Sequence, residues 1–243
     1  MVAAGSALGL YAVGVIVTFG VRTVLHRRAT GDSGLRRPSG VDPSDAQWWG
    51  QALFVVALVA GILSPLAVLT GLADPVQEHL AVTVAGAVLA LAGFGLVVVS
   101  QGQMGRSWRI GVDTGERTEL VSDGVFARVR NPIFTGMVAA LAGLVLMVPT
   151  WLGLLAVIAL VVAVQLQVRA VEEPYLLRTH GPAYRAYAAR AGRFLPGIGR
   201  LPMADGPERS AGRARRATRP RIRLPDRAGP AHREGKAGTQ VSL

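Results

Sequence analysis

Apolar residues in this chain fall in long unbroken runs, without the one-faced periodicity of a soluble helix or the alternation of a strand. The runs Ala4–Leu25, Ala52–Leu72 and Leu80–Ser100 each match the roughly 20 residues that a helix needs to cross a hydrocarbon layer. A fourth run, Ile133–Val168, is too long for one crossing and is interrupted by "MVPTWLG" at Met147–Gly153. Pro149 suits a reversal there, because proline has no amide donor and favours the first turn of a new helix. The pattern predicts an all-α polytopic membrane protein of five transmembrane helices, the last two forming a tight helical hairpin.

The polar intervals set the topology. "HRRATGDSGLRRP", "GRSWRIGVDTGERTELVSDGVFARVR" and the chain after Arg169 are basic, whereas "ADPVQEH" contains no Lys or Arg. By the positive-inside rule the N-terminus is expected outside and the C-terminus in the cytoplasm. Trp48, Trp49, Trp108 and Trp151 fall at the predicted span edges, where aromatic belts form. The first run has no basic segment ahead of it and reads as a retained anchor, not a cleaved signal peptide.

Composition agrees with this reading. Of 243 residues, 51% are hydrophobic and only 17% charged; mean hydropathy is +0.39. The lack of cysteine excludes disulfides, thiolate chemistry and Cys-ligated metals. His26, His79, His180 and His232 show no metal-ligand spacing, so no metal site is expected. The formal charge of +11 comes almost wholly from arginine, which suggests the plasma membrane of a bacterium. From Leu201 onward an Arg-, Pro- and Gly-rich segment lacks any hydrophobic period. It reads as a disordered basic cytoplasmic tail that contacts anionic headgroups and not nucleic acid. The chain therefore divides into three membrane helices (1–101), a region carrying the chemistry and the last two spans (102–200), and the tail (201–243).

Three polar clusters can carry chemistry. In "LVSDGVFARVRNPIFTGM", Asn131 suits a helix N-cap, Pro132 the first helical position and Arg130 an interfacial anchor. Gly124 and Gly136 fit a turn and close helix packing equally well. In "RAVEEPYLL", Glu172 and Glu173 sit just past a membrane-length run, where helix polarity and lipid both disfavour acids. Something positive must offset them. Arg169, three and four residues earlier, offers an intrahelical pair worth only about 0.2–0.5 kcal/mol. In "RTHGPAYRAYAARAGRFLP", Tyr184 and Tyr187 recur at helical spacing on a basic, interfacial segment. Gly93-Phe94-Gly95 lacks the third glycine of a dinucleotide loop and reads as helix packing.

The three clusters in this order, with a helical hairpin between the first two, resemble the isoprenylcysteine carboxyl methyltransferase family and its relatives, the phospholipid N-methyltransferases. The resemblance covers roughly Gly102–Arg200. It implies an S-adenosylmethionine cofactor and an amphiphilic or lipid-like methyl acceptor. It also implies catalytic roles for Arg130, Glu172 and Glu173. The same three would bind the cofactor, together with Asn131, Pro132, Phe134, Gly136, Tyr184 and Tyr187. Two departures stand out: Asn131 occupies a position where the family often has histidine, and Phe134 one where tyrosine is common. Asn131 cannot titrate, and Phe134 lacks a hydroxyl. Two other classes fit the same composition: a membrane reductase using NADPH on a lipid-like substrate, and a non-enzymatic membrane protein whose basic tail recruits a partner.

Overall fold

The computed structural model describes residues 1–31, 45–76, 79–105 and 120–202. Among these residues the regular structure is helical, with a lone parallel bridge between Val129 and Gly192. Helix α1 covers Val2–Thr30 and α2 Ala46–Leu69; α3 is Leu80–Met104 and α4 Pro132–Met147. Helix α5, Trp151–Leu166, continues through a π-helical turn, Gln167–Glu172, into α6, Glu173–Arg190. Trp108 and the tail from Met203 onward lie outside the described residues.

The predicted apolar runs are helical, and the fourth of the five expected crossings corresponds to a shorter helix. Four helices are long and apolar enough to span a membrane: Val2–Thr30, Ala46–Leu69, Leu80–Met104 and Trp151–Arg190. Helix α4 has 16 residues, a rise of about 24 Å against a hydrocarbon core of about 30 Å. Proline sets both limits. Pro132 occupies the first turn of α4, and Pro149 lies in the link Val148–Thr150 that separates it from α5. Thr150 then caps α5 by accepting from Gly153 N at 3.0 Å. Its hydroxyl also meets Ser64 Oγ at 2.8 Å, which ties the hairpin corner to α2.

Within the hairpin, α4 packs mainly on α3 and α5 mainly on α2. The α3–α4 contact is written in small residues. Gly86, Ala90 and Gly93 face Gly136, Ala140 and Gly143, both sets spaced four and then three, so each forms one stripe. A Cβ on Gly86 would fall 2.6 Å from Gly143 O, and one on Gly136 2.7 Å from Gly93 O. The two backbones touch, and that close approach supplies the dispersion contact on which helix association in lipid depends.

Helix α1 is fastened by polar groups. Its π turn, Ile16–Val21, leaves Thr18 O to accept Gln101 Nε2 from α3 at 2.9 Å. Tyr11 Oη donates to Leu58 O in α2 at 2.8 Å. Large apolar side chains such as Val55, Leu91, Leu155 and Ile158 point outward, while Ala57, Ala90, Gly93 and Ala156 are buried. Small residues inside and large ones outside suit a lipid solvent, where burying apolar area against protein gains little.

Candidate functional site

The site begins where α5 gives way to α6. Pro174 supplies no amide, and in a regular α-helix its ring would press on the carbonyl of Ala170. The wider π turn, Gln167–Glu172, accommodates it. The register shift separates the two glutamates. Glu173 is buried at 7% exposure, while Glu172 is half-buried. Among the described residues Glu172 Oε1 receives a single long contact, from Gln167 Nε2 at 3.4 Å. Arg169 donates to Gln165 Oε1 at 2.7 Å, so the intrahelical arginine–glutamate pair does not form.

What faces Glu173 comes from elsewhere in the chain. Arg130, at 6% exposure, precedes the first turn of α4. Its Nη2 donates to Glu173 Oε1 at 2.7 Å and to Gly199 O at 3.1 Å. Its Nη1 donates to Ala188 O at 2.9 Å and Ala191 O at 2.8 Å. Arg193 completes the cluster as a fork, Nε to Oε1 at 2.7 Å and Nη2 to Oε2 at 2.8 Å. Two guanidiniums thus share one carboxylate. The bonds from Glu173 hold the Arg193 guanidinium above its ordinary pKa, so it stays charged.

Backbone pairing fixes the geometry. Arg130 N donates to Gly192 O at 2.8 Å, Gly192 N to Arg128 O at 3.0 Å, and Asn131 N to Arg193 O at 3.1 Å. The Asn131 side chain does not cap α4; its Nδ2 donates to Arg193 O at 3.0 Å. Thr135 Oγ1 reaches Phe194 O at 2.7 Å. Gly192 is required at the crossing, since a Cβ there would lie 2.9 Å from Gly197 N and 3.0 Å from Ile198 O. Leu201 N returns to Ala188 O at 3.0 Å, which ties the described C-terminal residues to α6.

Helix α6 is broken at Gly181, whose φ of 49° and ψ of −119° leave the helical region ahead of Pro182. Beyond the break Tyr184 and Tyr187 turn inward and meet edge to face, centroids 6.1 Å apart. Tyr187 Oη donates to Phe126 O at 2.9 Å.

The structure therefore brings together Arg130, Asn131, Glu173, Tyr184 and Tyr187, with Pro132 buried at the start of α4. Phe134 is half-buried against the apolar core. Gly136 backs onto α3. The sequence reading gave Arg130 and Glu173 to the cofactor; here the four Nη hydrogens of Arg130 and both oxygens of Glu173 are engaged within the protein. Two participants escaped that reading, Arg193 and Thr135. Arg193 stood in the quoted third cluster, but only as one basic residue among several.

Two buried nitrogens of these segments have no hydrogen-bond partner among the described residues, Arg130 Nε and His180 Nε2. Buried polar atoms are rarely left unpaired, so each marks a place where an acceptor or donor is missing. No curated protein and no solved structure matches the chain. Residues 81–183, which run from α3 through both glutamates to Ala183, match the model of a known family, described as phospholipid methyltransferase and related to the isoprenylcysteine carboxyl methyltransferases.

Proposed function

We propose that this chain is an integral membrane methyltransferase that uses S-adenosylmethionine to methylate an amphiphilic or lipid-like acceptor. The observation that carries this reading is convergence. Arg130–Pro132 and Glu173 meet at one end of an apolar helix bundle, with Glu172 in the adjoining π turn, inside the segment that matches the phospholipid methyltransferase family.

The residues present fit the cofactor. Glu172 is half-buried and held by one long contact, which leaves a carboxylate for the ammonium or the sulfonium. Arg130 Nε is buried and unpartnered, which leaves a donor for the cofactor's carboxylate. When bound, S-adenosylmethionine supplies an electrophilic methyl group. The protein's part is alignment and exclusion of water, since an in-line displacement needs no covalent intermediate. Glu173 and Arg193 hold Arg130 in place. Tyr184 and Tyr187 form a buried wall, and Pro132, Phe134 and Gly136 seat α4 against its neighbours. Asn131 fastens the segment at Arg193 and handles no proton. An acceptor with a greasy tail enters from the bilayer, with the site facing the cytoplasm of a bacterium and the N-terminus outside.

The test uses full-length protein purified in detergent. Calorimetric titration with S-adenosylmethionine should give saturable binding, and a labelled methyl group should pass to a lipid extract. A folded protein that binds no S-adenosylmethionine, or that instead oxidises NADPH with a lipid extract, sinks the proposal.

A further inference from the structure

The segment following the Arg193 clasp presents a feature that methyl transfer does not require. Between Phe194 and Gly199 the chain turns outward and displays two apolar side chains, Leu195 at 52% and Ile198 at 63% exposure. The turn is built, not loose. Arg193 N donates to Ile198 O at 2.7 Å, and Ile198 N to Leu195 O at 3.1 Å. Gly197 and Gly199 take positive φ values of 80° and 74°, and Gly199 O is held by Arg130.

Its depth follows from what it hangs on. Phe194 O is bonded to Thr135, in the first turn of α4. That helix is apolar, whereas Arg128 and Arg130 stand immediately ahead of it, so its first turn marks an edge of the apolar layer. A turn tied to the first residues of α4 lies at that edge too. Charge points the same way. Arg128, Arg190 and Arg200 are exposed on the segments that pair with the turn or flank it in sequence, and no Asp or Glu occurs between Arg190 and Pro202.

We infer that the Phe194–Gly199 turn is a membrane-dipping anchor: Leu195 and Ile198 enter the boundary between headgroups and acyl chains, and the flanking arginines engage anionic headgroups. Apolar side chains ringed by cationic ones are what such a boundary accepts, the stems lying in the apolar layer and the charges reaching phosphate. The anchor sets the level at which the Arg130–Glu173 cluster meets the lipid, and it holds whatever reaction the cluster serves.

The chain contains no cysteine, which makes site-directed labelling direct. Single variants Leu195→Cys and Ile198→Cys, spin-labelled in the full-length protein, are reconstituted in nanodiscs with and without anionic lipid. Accessibility to oxygen and to a water-soluble nickel chelate then gives depth, calibrated with spin-labelled lipids. In anionic discs both labels should lie about 5 Å or more below the phosphate level, and in purely zwitterionic discs they should be shallower. An aqueous profile at both positions overturns the anchor. Equal depth in both lipids overturns the role given to the arginines. Low accessibility to both reagents means protein cover and overturns the lipid assignment.

Discussion

Arg130 and Glu173 are 43 residues apart in sequence, and Nη2 of one lies 2.7 Å from Oε1 of the other. Both are buried, and Arg130 also serves three backbone carbonyls. Removing Glu173 strands Arg130, whereas removing Arg130 leaves Glu173 to Arg193 alone. Arg130→Ala should cost about 3–5 kcal/mol of stability, because three carbonyls lose their donor and the buried Glu173 carboxylate loses one of its two cations. Glu173→Gln should cost less than that but still be plain, since two guanidiniums then face each other without a charge between them. Thermal unfolding in detergent, with the double variant Arg130→Met/Glu173→Met completing a cycle, measures this. Single and double variants that all melt with the native protein would show the pair to be incidental.

Glu172 and Glu173 should separate by phenotype. Glu172→Gln leaves the clasp intact, so its melting temperature should stay near native while S-adenosylmethionine affinity falls about tenfold or more, the loss of one charge-assisted contact of roughly 1.5–3 kcal/mol. Glu173→Gln should lose stability first. Arg169→Ala should do neither, since among the described residues Arg169 bonds to Gln165 and not to a glutamate. Calorimetry paired with melting curves distinguishes the three, and a Glu172 variant with native affinity would remove that residue from the cofactor.

The α3–α4 seam gives a prediction that depends on no function. Gly136→Ala places a methyl 2.7 Å from Gly93 O and must push two backbones apart. A loss of about 1–3 kcal/mol is expected. Gly95→Ala, where a Cβ meets nothing within 4 Å, should be neutral or slightly stabilising. Comparable melting of both variants would argue against the seam.

Arg193 supplies a pH argument. Its folded pKa is raised by Glu173, so the stability it contributes is complete below the unfolded value and disappears only as pH climbs through the higher folded one. Melting temperature should therefore not fall between neutral and mildly alkaline pH on its account. Arg193→Gln should lower the melting temperature by the same amount across that window. A difference between the two proteins that narrows with rising pH would contradict this assignment.

Truncation should respect the contacts of Leu201. Leu201 packs beside the Tyr184–Tyr187 cluster and bonds to Ala188. Removing residues 203–243 should leave most methyl transfer intact, whereas removal from Leu201 should destabilise the fold. Loss of all activity in the shorter deletion would move the function toward the tail.

Much of this molecule was legible in one dimension. Hydropathy is a local property, so α1, α2, α3 and α5 follow from unbroken apolar runs. Proline acts on its own residue and the preceding turn, so Pro132 and Pro149 fix where α4 starts and where the hairpin bends. The polar clusters stood out because polar groups beside membrane-length runs are costly and need a reason. Through-space relations were decided only by the fold. Which cation meets Glu173 depends on how the π turn rotates it and on how residues 191–193 lie along 128–131; the nearer Arg169 turns to Gln165, while Arg130 and Arg193 arrive from other segments. Glycine spacing marked the packing faces, but their pairing and the shortness of α4 belong to the three-dimensional arrangement, because a Coulomb or steric contact is set by distance in space and not by separation along the chain.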